Sequence, residues 1–183
     1  QGIGQYVEQG PITIGTAFID RGRCLPWAMD RPCIVCQENC PVSPKAIFTR
    51  ELFNTIRSQH PLVVKSADTT RIEFQSDVLV ANQYATGDYF CVAQGSPGQP
   101  GRQIIANTSR SLTVDSKFPF EQPPRTQDSV SIQIRLQKPY VDPKRCIGCG
   151  VCEHECPVRG QRAIRVTAEN ESRARQHALI LQS

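Results

Sequence analysis

Hydrophobic and polar residues alternate along the middle of the chain. Between residues 129 and 136 every second position is aliphatic, which is the period of a half-buried β-strand. The aliphatic positions are Val130, Ile132, Ile134 and Leu136. Similar β-rich runs occupy residues 71–81, 88–93 and 102–115, and stretches rich in Gly or Pro follow them at 94–101 and 117–128. These patterns predict an antiparallel β-rich insertion at 66–137.

The flanking segments carry weaker patterns. Residues 45–60 mix a strand with one or two helical turns, and residues 169–183 are polar until the last few positions. We expect this tail to be frayed rather than docked on a partner.

Nine cysteines change the picture. Eight of them form two tight groups, within residues 24–40 and 146–156, and each group is followed by proline, whereas Cys91 stands apart. Spacings of two and three residues suit neighbouring ligands of one metal centre, while a disulfide framework usually spreads its cysteines through the fold.

The two groups belong to longer matching segments. AFIDRGRC at 17–24 matches PYVDPKRC at 139–146, with an aspartate four residues before the first cysteine. After the proline, both segments return to an Ala-Ile pair. Each half predicts a strand, a cysteine loop, a short helical turn and a strand, and together they form an internal repeat. We therefore divide the chain at 1–65, 66–137 and 138–183.

Charge and hydropathy exclude some classes of function. The chain carries 21 basic and 17 acidic residues, interspersed, and only 7% aromatic residues, which argues against a nucleic-acid surface. No run approaches the roughly 18 apolar residues of a membrane span. The sequence starts at Gln1 without a basic and apolar leader, so we expect a processed, truncated or partly observed polypeptide, from which a targeting segment or membrane anchor could have been lost.

The spacing of the second group points to iron. It reads C-x2-C-x2-C-x3-C-P, which is the bacterial ferredoxin arrangement for a [4Fe-4S] cluster. Zinc sites use separated cysteine pairs and fit this run poorly. The first group reads C-x8-C-x2-C-x3-C-P and is ambiguous alone, because Cys24 could be a stray cysteine. Its place in the repeat, matching Cys146, includes it in the motif.

Residues 17–50 and 138–173 resemble a bacterial two-cluster ferredoxin domain. The wide first gap with Leu-Pro-Trp and the Cys-Pro-x-Ser-Pro-Lys-Ala-Ile run are similar in particular to ferredoxin-type proteins associated with periplasmic nitrate reductase and methylamine utilisation. Those relatives typically carry four cysteine motifs, and this chain has two and a long insertion, so a nitrate-reductase role does not carry over.

The resemblance implies an α+β fold, with a pseudo-two-fold ferredoxin-like core interrupted by the antiparallel β-rich insertion. It also implies two [4Fe-4S] clusters with crossed ligation, since the fourth cysteine of each group ligates the other cluster. Cluster one would be held by Cys24, Cys33, Cys36 and Cys156. Cluster two would be held by Cys146, Cys149, Cys152 and Cys40.

Several other side chains near the cysteines or of reactive type could have a role. Trp27 either shields a cluster from water or anchors its loop. Cys91 is expected in a β core, and His154 on the surface beside a motif whose four cysteines are already complete. The cations at the cysteine loops either dock an acidic partner or compensate cluster charge. Those proposed for docking are Arg21, Arg23, Lys144 and Arg145.

The chain shows no nucleophile–base pair, phosphate loop or dinucleotide-binding glycine pattern. We therefore expect an electron carrier rather than an enzyme, possessing no catalytic residues, able to serve as a subunit of an oxidoreductase. Its expected partners are redox proteins in a larger oxidoreductase or a membrane electron-transfer complex, with the family resemblance favouring a periplasmic or membrane-associated location. Two alternatives stay open: a structural or assembly module whose clusters stabilise the fold, and a fragment of a membrane-bound polyferredoxin.

Overall fold

The computed structural model describes residues 12–94 and 100–172. Within these ranges the chain forms nine strands and three helices of four or five residues. The strands are β1 (Thr16–Ile19), β2 (Ile47–Thr55), β3 (Leu62–Ala67), β4 (Arg71–Phe74), β5 (Tyr89–Ala93), β6 (Arg102–Asn107), β7 (Ser111–Val114), β8 (Ser129–Val141) and β9 (Ile164–Thr167). The helices are α1 (Leu25–Ala28), α2 (Val35–Glu38) and α3 (Val151–Glu155).

The chain divides into two compact units. The first, here called the cysteine unit, comprises residues 1–51 and 137–183, and the second, the β unit, comprises residues 52–136. The sequence places the corresponding boundaries after residues 65 and 137. That three-part division stays a prediction.

The expected α+β ferredoxin-like fold class is wrong. The described chain is mostly β, with one two-stranded sheet and one seven-stranded antiparallel sheet, and only 8% of it is helical. Local chemistry keeps the helices short. Helices α2 and α3 end just before Cys40-Pro41 and Cys156-Pro157, where the residue before proline is pushed out of the helical region.

The β unit is built on an antiparallel ladder that closes on itself. β8 pairs with β3, and the ladder continues through β4, β7, β6 and β5 back to β8. The predicted apolar face of β8 is confirmed: Val130, Ile132, Ile134 and Leu136 are all buried. Two residues of this face, Val130 and Ile132, join Ile72, Phe74 and Leu112 in the aliphatic and aromatic core of the β unit.

Other strand predictions fare unevenly. The runs at 88–93 and 102–115 contain β5 and the β6–β7 pair, but only the first four residues of 71–81 form a strand. The helical turns predicted in 45–60 are wrong, because β2 occupies nine residues there. Gln94, Gly101 and the 117–128 segment lie outside strands. Residues 95–99 and most of the predicted tail, 173–183, lie outside the described residues.

In the cysteine unit, β1 and β9 pair antiparallel, from Thr16 opposite Thr167 to Ile19 opposite Ile164. The buried cluster beneath them has eleven residues, of which six are cysteines. Large apolar side chains are therefore scarce in this core, and thiols take their place.

No helix in the described part of the chain has the length and apolar character required to cross a membrane.

Candidate metal centre

Two apolar pockets in the cysteine unit collect the eight grouped cysteines. The first pocket, called site one, encloses about 350 Å³ of space including its mouth, and it has Ile19, Leu25 and Pro139 in its wall. Its cysteines are Cys24, Cys33, Cys36 and Cys156. Three thiols therefore come from the first group and one from the second.

The second pocket, called site two, has the complementary composition. It encloses about 300 Å³ including its mouth, and Ile47, Ile147 and Val166 contribute to its wall. Its cysteines are Cys40, Cys146, Cys149 and Cys152. The structure thus brings each predicted set of four cysteines to one pocket, while their ligation of clusters stays a prediction.

Aspartate turns deliver the first cysteine of each group. The Cys24 N–H donates to the Asp20 carbonyl at 3.0 Å, and the Cys146 N–H donates to the Asp142 carbonyl at 3.1 Å. The aspartate N–H groups in turn donate 2.7 Å bonds to the carbonyls of Ala163 and Ala46, respectively. Each turn is therefore hydrogen-bonded to the segment that follows the other cysteine group. These bonds place Cys24 near the start of β9 and Cys146 near the start of β2.

The remaining cysteines depend on the short helices. Cys36 lies in α2 and Cys152 lies in α3, and both are buried. Cys156 follows α3, and its carbonyl accepts a 2.6 Å bond from the Arg162 guanidinium. A helix of one turn allows the chain to reverse immediately, so the last cysteine can reach the other pocket.

A backbone donor points at one of the sulfurs. The Ala17 N–H lies 3.3 Å from Cys146 Sγ, and N–H groups directed at sulfur are among the contacts by which a protein tunes a metal-bound cysteine. Close backbone packing holds the neighbouring loop, since a Cβ on Gly148 would lie 2.5 Å from the Gly15 nitrogen. Glycine is therefore required at 148 both for its φ of +73° and for space.

Burial makes these thiols poor acids on their own. Desolvation, with smaller contributions from neighbouring cysteines, raises the pKa of Cys24 to about 11 and those of Cys36 and Cys152 to about 12. An iron centre binds thiolates, so its positive charge must replace the protons. Soft sulfur ligands in an apolar pocket fit an iron–sulfur cluster.

A single-ion site is a different arrangement. Within residues 12–94 and 100–172, no three His, Cys, Asp or Glu side chains are placed to hold one metal ion together. A [4Fe-4S] cluster takes each thiolate on a different iron, so its four ligands can stand further apart.

The two sites differ in their exposure. Cys149 is exposed, whereas Cys33, at the corresponding position of the first group, is only partly exposed. The first group contains the additional loop LPWAMDRP, and Leu25 from this loop lines site one. Ile147, from the short gap of the second motif, lines site two in the same way.

Trp27 anchors that loop. Its indole N–H donates to the Pro139 carbonyl at 3.2 Å, and its ring packs edge-on against Tyr140 at 5.4 Å. Because Pro139 lines site one, the anchor also supports the wall of that site. These contacts agree with the anchoring interpretation of Trp27, and the shielding of a cluster stays a prediction.

The four cations proposed for docking separate into two pairs. Arg23 donates to the Gln161 carbonyl at 2.9 Å, and Arg145 pairs with Asp142 at 3.2 Å. Arg21 and Lys144 are exposed and line a broad groove.

Sequence reasoning missed an aromatic and cationic cluster beside this groove. The Arg21 guanidinium lies 4.3 Å from the Trp27 ring centroid, and the Lys138 ammonium lies 4.7 Å from it. The Arg50 guanidinium lies 4.9 Å from the Tyr140 ring centroid. The sequence does place Lys138 and Tyr140 two residues apart, so a strand would put them on the same face. This pattern does not reveal the partners of either side chain.

The two ungrouped candidates lie apart from the sites. Cys91 is completely buried in the β unit, as predicted, and burial raises its pKa to about 12. His154 is 85% exposed and contacts Glu155 at 3.0 Å. Neither lines site one or site two.

In a comparison with known protein families, residues 137–158 match the 4Fe-4S binding domain. The match covers Cys146, Cys149, Cys152 and Cys156 and supports at least one iron–sulfur cluster in a ferredoxin-type domain. Searches of the curated proteins and of the solved structures returned no significant match.

Proposed function

We propose that this protein is a non-catalytic electron carrier with two [4Fe-4S] clusters, held in the crossed arrangement. Cluster one would bind to Cys24, Cys33, Cys36 and Cys156 in site one. Cluster two would bind to Cys40, Cys146, Cys149 and Cys152 in site two. The observation that carries the proposal is the composition of the pockets, each of which takes three thiols from one group and the fourth from the other.

When bound, such clusters supply one-electron chemistry between their 2+ and 1+ states. The chain's own contribution is to provide four thiolates per site. With one thiolate for each iron, no coordination position is left for a substrate, which favours electron transfer over catalysis. The walls of both sites are largely apolar, and the Ala17 N–H is directed at Cys146 Sγ, a contact that would tune the properties of a bound cluster.

The proposed donors and acceptors are proteins. In keeping with the family resemblance, we place the carrier beside a larger oxidoreductase or a membrane electron-transfer complex, in the periplasm or at a membrane. We assign the β unit a role in assembly with that complex.

Electron paramagnetic resonance during a redox titration of anaerobically purified protein tests this function. We expect about eight iron atoms per chain, because each cluster contains four. We also expect the spectrum of two interacting electron spins, because each cluster is paramagnetic in its reduced 1+ state. Zinc in place of iron, or fewer than about four irons per chain, would overturn the proposal.

A second candidate, a structural module whose clusters mainly stabilise the fold, is supported by the cysteine-rich core of the cysteine unit. The same titration separates the two. Reversible reduction with rapid electron exchange to a partner supports a carrier, whereas clusters that stay oxidised throughout the titration of a stable protein support the structural role.

A further inference from the structure

A broad groove runs along the cysteine unit beside the two sites. It encloses about 1620 Å³ of space including its open mouth. One wall is formed by β1 and the other by the end of β8 with the turn after it, and the groove presents the exposed ring of Phe18 and the half-buried ring of Tyr140.

The groove is separated from the cysteine sites by single residues. Ile19 and Pro139 line both the groove and site one. Ala17 also lines the groove, while its N–H contacts Cys146 Sγ in site two. A redox group held in this groove would therefore be close to both sets of thiols, which is what electron transfer requires.

The charged side chains that line the groove are more often positive than negative. Arg21 and Lys144 line it, and Glu169 is the one acidic side chain among the described lining residues. The guanidinium of Arg21 and the buried ammonium of Lys138 flank the Trp27 ring, while Arg50 lies over Tyr140. Cations next to partly exposed aromatic rings suit a partner surface that carries carboxylates.

We propose that this groove docks an acidic one-electron carrier protein. The inference rests on the proposed electron-transfer function and adds the docking surface and the chemistry of the partner. Phe18 and Tyr140 supply apolar contact area at the centre of the interface, as aromatic anchors commonly do. Arg21 and Lys144 attract and orient the partner, so its acidic face approaches the wall shared with site one.

The probe for this surface is a purified flavodoxin, an acidic protein that carries a flavin. Reduced protein is mixed with oxidised flavodoxin, and one electron passes from the 1+ cluster, which becomes 2+, to the flavin, which takes up a proton from water to form the neutral semiquinone. Stopped-flow absorbance gives the second-order rate, and calorimetry of the two oxidised proteins gives the affinity independently of potential.

Lys144→Glu is the informative variant, because Lys144 is exposed and lines the groove. We expect the rate and the affinity for flavodoxin to fall about tenfold at low ionic strength, since electrostatic steering is reversed at the docking face. The difference should shrink at high salt as the charges are screened. Arg159→Glu is the matched control: it makes the same charge change at an exposed position of the cysteine unit outside the groove, and it should alter both values by less than about twofold.

The outcomes separate the two proposals. Equal effects of Lys144→Glu and Arg159→Glu would overturn the docking surface, and so would tighter calorimetric binding of the wild type to basic cytochrome c than to flavodoxin. If a second copy or another segment of the chain covers the groove, Lys144→Glu should leave the rate and the affinity for flavodoxin unchanged, and this result would also overturn the docking surface. If Lys144→Glu lowers the iron content, Lys144→Gln replaces it, with a smaller loss expected. Failure of the reduced wild type to transfer electrons to either carrier would instead overturn the proposed function.

Discussion

Replacing Gly148 by alanine should destabilise the cysteine unit more than the same change at Gly150. Both glycines have left-handed backbone, with φ of +73° and +78°, and a side chain in this region costs about 1–2 kcal/mol. At Gly148 the new Cβ would also lie 2.5 Å from the Gly15 nitrogen and 2.6 Å from its oxygen. Unlike a flexible side chain, these backbone atoms cannot avoid the Cβ by a change of rotamer, so the chain at Gly15 must shift. This shift should lower the free energy of unfolding by about 1–3 kcal/mol more.

Gly150→Ala provides the matched control, because no described heavy atom lies within 4 Å of its added Cβ. The free energy of unfolding should therefore fall by about 2–5 kcal/mol for Gly148→Ala and by about 1–2 kcal/mol for Gly150→Ala. Anaerobic protein is incubated in increasing urea, and unfolding is followed by the fluorescence of Trp27, the single tryptophan. Because cofactor loss makes unfolding irreversible, rates of unfolding at fixed urea concentration are compared as well. Equal sensitivity of the two variants would refute the packing argument.

Three further substitutions test separate parts of the structure. Cys91→Ala should cost about 1–2 kcal/mol in thermal unfolding through a small cavity, and it should leave the iron content unchanged; loss of iron would show that Cys91 is not merely a core residue. Asn107→Ala removes a buried amide whose oxygen and nitrogen make hydrogen bonds of 2.8 and 2.7 Å to the backbone. The free energy of unfolding measured by calorimetry should therefore fall by about 2–3 kcal/mol, and an unchanged value would contradict a stabilising role for these two hydrogen bonds. Arg162→Gln removes the 2.6 Å bond to the Cys156 carbonyl; visible absorbance should then decay faster in air, whereas an unchanged decay would show that Cys156 is held without it.

The sequence was informative where one local pattern decides the outcome. Alternation over 129–136 predicts a strand buried on one face, and the packing of Val130 and Ile132 in the β unit agrees. The predicted α+β fold class is wrong because a count of helical turns and strands does not give their lengths, and the helices of the described chain span only four or five residues each. Residues 45–60 contain aromatic and β-branched residues that suit a strand, and β2 uses nine of these positions.

The candidate site was predictable only in part for a related reason. Motif spacing predicts the grouped cysteines as ligands, and the match between the two segments predicts that Cys24 belongs with them. The cations around Trp27 and Tyr140 come from three separate segments of the chain, at 21–27, 48–50 and 138–140. Spacing along the sequence carries no information about such contacts. Nor does it show that Cys149 is exposed while Cys33 is partly covered.

Crossed ligation is tested most directly by removing one cysteine at a time and recording electron paramagnetic resonance spectra at controlled potentials. Cys156→Ala and Cys24→Ala should disturb the same one of the two cluster signals, because both residues line site one. Cys40→Ala and Cys146→Ala should disturb the other, because both line site two. If Cys156→Ala instead gives the spectrum of Cys146→Ala, each cysteine group holds its own cluster and the crossed arrangement is contradicted.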